Sequence, residues 1–177
     1  GGELLGFFSE ADGSNPSLLN QPAGGSAQPA SEDSLRERQH YLKMNGREIF
    51  KVAVRLMERA SRQLLEKHGL TPADLACVIP HQANARIVES LAQRMELPID
   101  RFFCNLDRYG NTSAASIPIA LNEARDEWNF NHGDYILMVS FGAGLTWSSG
   151  LLPRTVAATA RNAVFHWFYK LLRFKRT

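Results

Sequence analysis

Ala76-Cys77-Val78-Ile79-Pro80-His81-Gln82-Ala83-Asn84-Ala85-Arg86-Ile87 is the stretch on which the fold turns. Four apolar residues run into a proline, and a polar cluster follows. The next apolar residues, Ile87, Val88, Leu91, Ala92 and Met95, recur at three- and four-residue steps. That spacing predicts a helix with one buried face, ending near Leu97-Pro98. The run before the proline is too short for a helix and reads as a buried strand. His81 therefore sits at the strand's end, where open α/β sheets gather their chemistry.

Upstream, Phe50, Ala53, Val54, Met57, Ala60, Leu64 and Leu65 give one apolar face to a long helix that begins at Gly46. Gly69 is its stop signal, and Thr71-Pro72-Ala73-Asp74 is a helix-start pattern leading quickly into the strand. Downstream, Arg101 to Leu106, with Phe102, Phe103 and Cys104, reads as a strand. Asp107 to Asn111 reads as a turn, and Asn111 or Thr112 can cap a helix running from Ser113 to about Trp128. The small residues Ala114, Ala115 and Ser116 predict a helix start buried in the middle of the molecule. Tyr135–Val139 and Trp147–Leu152 are apolar strands joined by a bend at Phe141–Leu145. The order α-β-α-β-α-β-β means a layered α/β domain.

The ends are less regular. Glu3 to Phe8 reads as the remnant of a strand, Ala11 to about Asp33 as a flexible loop, and Ser34 to Tyr41 as a short helical turn. Three regions follow: 1–45 as strand remnant and loop, 46–152 as the main domain, and 153–177 as a basic, aromatic tail. The 177 residues suffice for one ordinary core, and 44% hydrophobic with 21% charged fits a globular protein. A net charge of +2 argues against nucleic acid as the main partner. Cys77 and Cys104 have no framework spacing, which points to a reducing compartment, and no second cluster exists that would complete a metal site with Cys77 and His81. No secretory pattern opens the chain and no stretch is apolar enough to span a bilayer, so a cytoplasmic location is expected. The abrupt start at Gly1, without Met, reads as a cut through a larger protein.

Two further polar knots complete the pattern: Asn111-Thr112-Ser113-Ala114-Ala115-Ser116 and Phe141-Gly142-Ala143-Gly144-Leu145-Thr146-Trp147. Taken separately, His81 reads as a hydrogen-bonded core histidine, Asn111 as an N-cap, and the glycine-containing bend as a tight turn with aromatic packing. Together and in this order the three knots resemble the second half of the β-ketoacyl-acyl carrier protein synthase III family, among the thiolase-fold condensing enzymes. The resemblance runs from about Gly1 to Leu152 and is densest from Gly46 onward. It implies the C-terminal half of a thiolase-like layered α-β-α-β-α fold. It also implies decarboxylative condensation of an acyl-CoA primer, acetyl-CoA foremost, with malonyl-acyl carrier protein to start fatty acid synthesis.

By the same resemblance, His81 and Asn111 are the catalytic pair, and the backbone N–H of Ala143 helps hold an oxyanion where some members carry glycine. Gln82, Ala83, Asn84, Ala85, Arg86 and Lys51 would meet the acyl carrier protein, and Gly46, Phe50 and Phe141 would line the substrate pocket. Arg47 stands where asparagine is the family's usual residue. No cofactor and no metal is implied, because acyl-CoA and malonyl-acyl carrier protein are substrates. The nucleophilic cysteine belongs to the family's first half, and the intact enzyme, with both halves, is implied to be a homodimer. Neither Cys77 nor Cys104 lies in that nucleophile's motif. The alternatives are a non-catalytic thiolase-fold piece that binds acyl carriers and a condensing enzyme of secondary metabolism.

The tail gathers Phe165, Trp167, Phe168, Leu171, Leu172 and Phe174 among Lys170, Arg173, Lys175 and Arg176. A basic, aromatic helix of this kind can lie on an anionic membrane surface; the plainer reading is an extension without function. The plainer reading predicts that chains with and without residues 154–177 co-sediment equally with anionic liposomes. Binding confined to the longer form would establish membrane contact instead.

Overall fold

The computed structural model describes residues 4–128 and 130–153. In chain order these form strand β1 (Gly6–Ala11), strand β2 (Leu19–Asn20), helix α1 (Glu32–Arg36), strand β3 (Lys43–Met44) and helix α2 (Gly46–Lys67). Strand β4 (Leu75–Pro80), helix α3 (Ala85–Met95), helix α4 (Leu106–Tyr109), helix α5 (Ser116–Glu127), and strands β5 (Tyr135–Gly142) and β6 (Thr146–Pro153) follow. The main sheet has the order β1-β6-β5-β4. β4 and β5 run parallel, whereas β6 is antiparallel to both β5 and β1. The tail at 154–177 lies outside the described residues.

The two sheet faces carry different helices because side chains alternate along each strand. Leu137, Val139, Trp147 and Leu151 join Met57, Ala60, Leu64 and Leu65 of α2 and Leu91 and Met95 of α3 in one core. Cys77, Ile79 and Ile136 pack on the opposite face with Ala120 and Ala124 of α5 and with Phe103. Fully burying an aliphatic side chain of this size contributes about 1.5–3 kcal/mol, so α2, with nine buried residues, is the principal anchor of the sheet. Its end is fixed by Gly69 at φ +66°. The Leu70 N–H reaches Leu65 O and the Gly69 N–H reaches Glu66 O, the paired bonds that close a helix on a left-handed glycine.

Several expectations change. The strand expected at Glu3–Phe8 lies at Gly6–Ala11 and is a full member of the sheet, in register with β6. The stretch expected as a flexible loop holds β2, which pairs with β3 beyond it, and α1 runs from the end of that stretch into the helical turn expected at Ser34–Tyr41. α1 is short, but Ser31 and Ser34 cap each other reciprocally, each side chain accepting the other's backbone N–H, which satisfies donors that would otherwise be orphaned. The expected strand at Arg101–Leu106 is reduced to one bridge between Val78 and Phe102, between a 3-10 turn at Ile99–Arg101 and α4. Cys104 is exposed and belongs to no strand.

The physical reason is Gln82. It is 1% exposed, and its Nε2 donates to Pro80 O at 2.8 Å and Phe103 O at 3.2 Å, while its Oε1 accepts from the Asn105 N–H at 3.1 Å. One side chain thus replaces the ladder that a neighbouring strand would have supplied. Two further groups reach β4 from the same segment: the Phe103 N–H donates to Val78 O at 2.9 Å, and Arg101 Nη1 donates to Leu75 O at 2.6 Å. The helix expected from Ser113 begins as a 3-10 turn at Ser113–Ala115 and becomes α5 at Ser116. Ser113, Ala114 and Ala115 are exposed rather than buried, because no described element crosses over them.

Truncating Gln82 leaves buried backbone groups unpaired, at about 1–3 kcal/mol each. Gln82→Ala should therefore destabilise by about 2–4 kcal/mol in urea unfolding. Gln82→Glu should cost at least as much, because a carboxylate would face two carbonyl oxygens. A loss under about 0.5 kcal/mol in both variants, the range of an ordinary surface change, would show that the contacts are dispensable.

Candidate functional site

β4 and β5 are parallel, so their carboxyl ends lie side by side, and the three polar knots gather there. His81 follows β4 directly, and its N–H donates to Val139 O at 2.8 Å, extending the ladder by one residue. Asn84 then opens α3, its Oδ1 accepting the Arg86 N–H at 2.9 Å. The imidazole is half-buried, with its centroid 6.4 Å from that of Phe141 on β5. His81 Nδ1 and Ser116 Oγ share a hydrogen bond of 2.6 Å. Burial holds the His81 pKa below its ordinary value of 6.5, because desolvation disfavours the charged ring.

Asn111 is exposed and shaped by its own turn: its Oδ1 accepts the Ser113 N–H at 2.9 Å. A backbone N–H can bond only the oxygen end of the amide, so the Nδ2 donors stay uncommitted among the described residues. Ser113 itself has φ +52°, a left-handed conformation that costs a non-glycine residue about 1–2 kcal/mol. The Asn111 side chain helps to hold it there. Asn111 thus acts through an Asx-type turn rather than as the N-cap expected of it.

His81, Asn111, Phe141 and Ala143 all line one cleft of about 560 Å³, together with Ser113, Ala114, Ser116 and Ile117. Ser9, Ser148 and Ser140, from three adjacent strands, line it as well. Ser9 stands opposite Ser148, and Ser148 opposite Ser140; the Oγ atoms of the latter pair are 2.8 Å apart. Leu19 and Leu42 also line the cleft.

The other expected residues fall elsewhere. Ala83 lines the cleft. Gln82 does not face the mouth; it is buried beneath the site, for the reason given above. Asn84, Ala85 and Arg86 are exposed at the start of α3, outside the cleft lining. Lys51 is exposed on α2 and paired with Glu48 at 3.0 Å. Of the three pocket residues expected, Phe141 lines the cleft, whereas Gly46 opens α2 in solvent and Phe50 packs against the main core. Sequence reasoning passed over Ser116 as one more small residue, and nothing in a linear reading pairs it with a histidine 35 positions away.

Residues 65–153, half of the chain, match the family described as 3-oxoacyl-[acyl-carrier-protein (ACP)] synthase III C terminal. The chain belongs to the β-ketoacyl-acyl carrier protein synthase III family. A synthase III of Roseiflexus castenholzii is 54% identical over 149 residues, which cover 84% of this chain and 45% of that protein. Crystal structures of synthase III from Aquifex aeolicus (44% identity, TM-score 0.72) and Thermus thermophilus (43%, TM-score 0.75) cover 86% and 89% of this chain. The matched parts are 45% and 48% of those two chains. The chain thus spans about half the length of the synthase III relatives it matches. Their fold is shared, so the sheet and its helices are half of a thiolase fold. No helix among the described residues is long and apolar enough to cross a membrane.

Neither cysteine of this synthase III segment is set up as a nucleophile. Cys77 lies inside β4, and burial pushes its thiol up to about 12; a thiol that stays protonated does not attack. Cys104 is exposed, away from the cleft. Iodoacetamide on the native protein at pH 8 should accordingly alkylate Cys104 and leave Cys77 unmodified until denaturant is added, as read by peptide mass spectrometry. Rapid native labelling of Cys77 would contradict its burial.

Proposed function

We propose that this chain is the decarboxylating half of a β-ketoacyl-acyl carrier protein synthase III, which joins an acyl-CoA primer to malonyl-acyl carrier protein. The observation that carries this reading is the meeting of His81 and Asn111, from two distant knots, in one cleft beside the β5–β6 turn. The nucleophilic cysteine would come from the other half of the enzyme, and the working enzyme would be a homodimer in the cytoplasm. No cofactor enters the chemistry. The primer is taken to be acetyl-CoA.

In the proposed step the bond between the malonyl α-carbon and its carboxylate breaks. Carbon dioxide leaves, and the electron pair moves to the thioester oxygen as an enolate. His81 Nε2–H and Asn111 Nδ2–H donate to that oxygen, and neither adds a formal negative charge that would oppose its development. Fixed donors aimed at a developing charge are worth about 2.7–4 kcal/mol each in a dry site. The enolate carbon then attacks the acyl group on the cysteine of the other half. A tetrahedral oxyanion forms, held with help from the Ala143 N–H, and collapses by expelling the thiolate. Arg86, Asn84 and Ala85, exposed at the start of α3, together with Ala83 and Lys51, would meet the acidic carrier protein. Such contacts act mainly on association and weaken with salt.

In a protein containing both halves, His81→Ala and Asn111→Ala should each lower malonyl decarboxylation by about 10²–10³-fold. Transfer of labelled acetyl groups to the cysteine should stay near wild type in both. Burial disfavours the charged ring and depresses the His81 pKa, so an acid limb set by His81 should lie below 6.5. Equal loss of acylation and decarboxylation in both variants would show that the division of labour is wrong.

A further inference from the structure

Ser116 is the first residue of α5, is 2% exposed, and has its Oγ 2.6 Å from His81 Nδ1. That contact is the one hydrogen bond found for the Ser116 hydroxyl among the described residues. A neutral imidazole can take two forms in it. In one, Nδ1–H donates to Ser116 Oγ, and the serine's own proton is left buried without an acceptor. In the other, the serine O–H donates to a bare Nδ1, and the ring proton sits on Nε2. The first form orphans a donor, which is costly; the second leaves only spare acceptor capacity, which proteins tolerate better. The imidazolium suffers the same penalty as the first form, since its Nδ1 must also donate.

We infer that Ser116 is the positioning residue that fixes His81 as the neutral ring protonated on Nε2, through the Ser116 Oγ–H···Nδ1 bond. Its catalytic consequence rests on the reading of His81 as a donor to the enolate oxygen; the tautomer assignment does not. Ser116 touches no reacting atom. It acts by choosing which ring nitrogen carries the proton. It does so from a helix that lies 35 residues further along the chain than the histidine. Two groups on the elements packed around the ring are relevant to its titration. The Val139 carbonyl is already engaged by the His81 backbone N–H, and the Phe141 ring is apolar. The clustered residues of the cleft lining carry no carboxylate that would draw a proton onto the ring.

The test uses a protein joining this chain to its cysteine-bearing half, with ¹⁵N-labelled histidine rings and the His81 signals assigned by comparison with His81→Gln. At pH 7.5 the expected pattern is a protonated Nε2 and a bare Nδ1; the reverse pattern would overturn the inference. Ser116→Ala should lower kcat for malonyl decarboxylation by about tenfold, a hydrogen bond's worth, with KM little changed. Its acid limb should move up toward the ordinary histidine value. Ser116→Thr keeps the hydroxyl and should restore both the rate and the limb. A Ser116→Ala enzyme with unchanged rate and limb would overturn the inference, as would loss of both in Ser116→Thr with the fold intact. Should Ser116→Ala fail to fold, the wild-type ring spectrum and Ser116→Thr still decide. If His81→Ala retained decarboxylation, the donor reading would fall, and the ring spectrum would continue to judge Ser116.

Discussion

The parallel pairing of β4 with β5 is the constraint on which the site depends. The strands are separated by more than fifty residues of sequence, yet their pairing brings their carboxyl ends to the same level. His81 leaves one strand as Phe141 closes the other, and the His81 N–H to Val139 O bond continues the ladder between them. Shifting that register by one residue would turn Leu137 and Val139 away from α2 and toward α5. It would also draw His81 off the cleft. The hydrophobic alternation that stabilises the sheet is therefore the same feature that aims the imidazole, so packing and chemistry cannot be separated at this point.

Asymmetry between the sheet faces explains the rest of the arrangement. One face is covered by α2 and α3 over most of its width. The other is covered by α5 only toward β4 and β5, and Phe7 on β1 remains 60% exposed. The cleft opens where this partial cover ends. The exposed Ser113, Ala114 and Ala115 at the head of α5 offer small side chains and a close approach to whatever lies opposite, in keeping with a domain that forms half of a larger fold.

Much of this could be read from the residues. α2 and α3 follow from periodicity, because their apolar faces repeat over enough residues to exclude a strand, and β5 and β6 follow from short apolar runs on either side of a glycine-containing bend. The site was legible through the order of its three knots. What escaped was decided by single long-range hydrogen bonds. Phe102 and Phe103 look like a strand because adjacent aromatics are common there, and no linear pattern tells that Gln82 will satisfy Phe103 O and the Asn105 N–H. Gln82 looked like a solvent-facing residue for the same reason: its partners lie 21 and 23 positions further on. The early loop hid β2, because a two-residue strand leaves no pattern, and α1 starts two residues before the expected helical turn because a reciprocal serine cap opens it at Ser31.

The groups that reach β4 from the Ile99–Asn105 segment have a consequence for how the molecule behaves among its own copies. The outermost strand of a sheet ordinarily presents a row of free carbonyls and amides on which another chain can build. Here Leu75 O, Val78 O and Pro80 O are each occupied, by a guanidinium, a backbone amide and a glutamine side chain. The segment is too irregular to serve as a template itself. Edge-to-edge polymerisation is thereby blocked at β4, without a charged or proline-rich guard strand. Among the described residues the sheet stays open to an added strand only at β1, so growth has one direction.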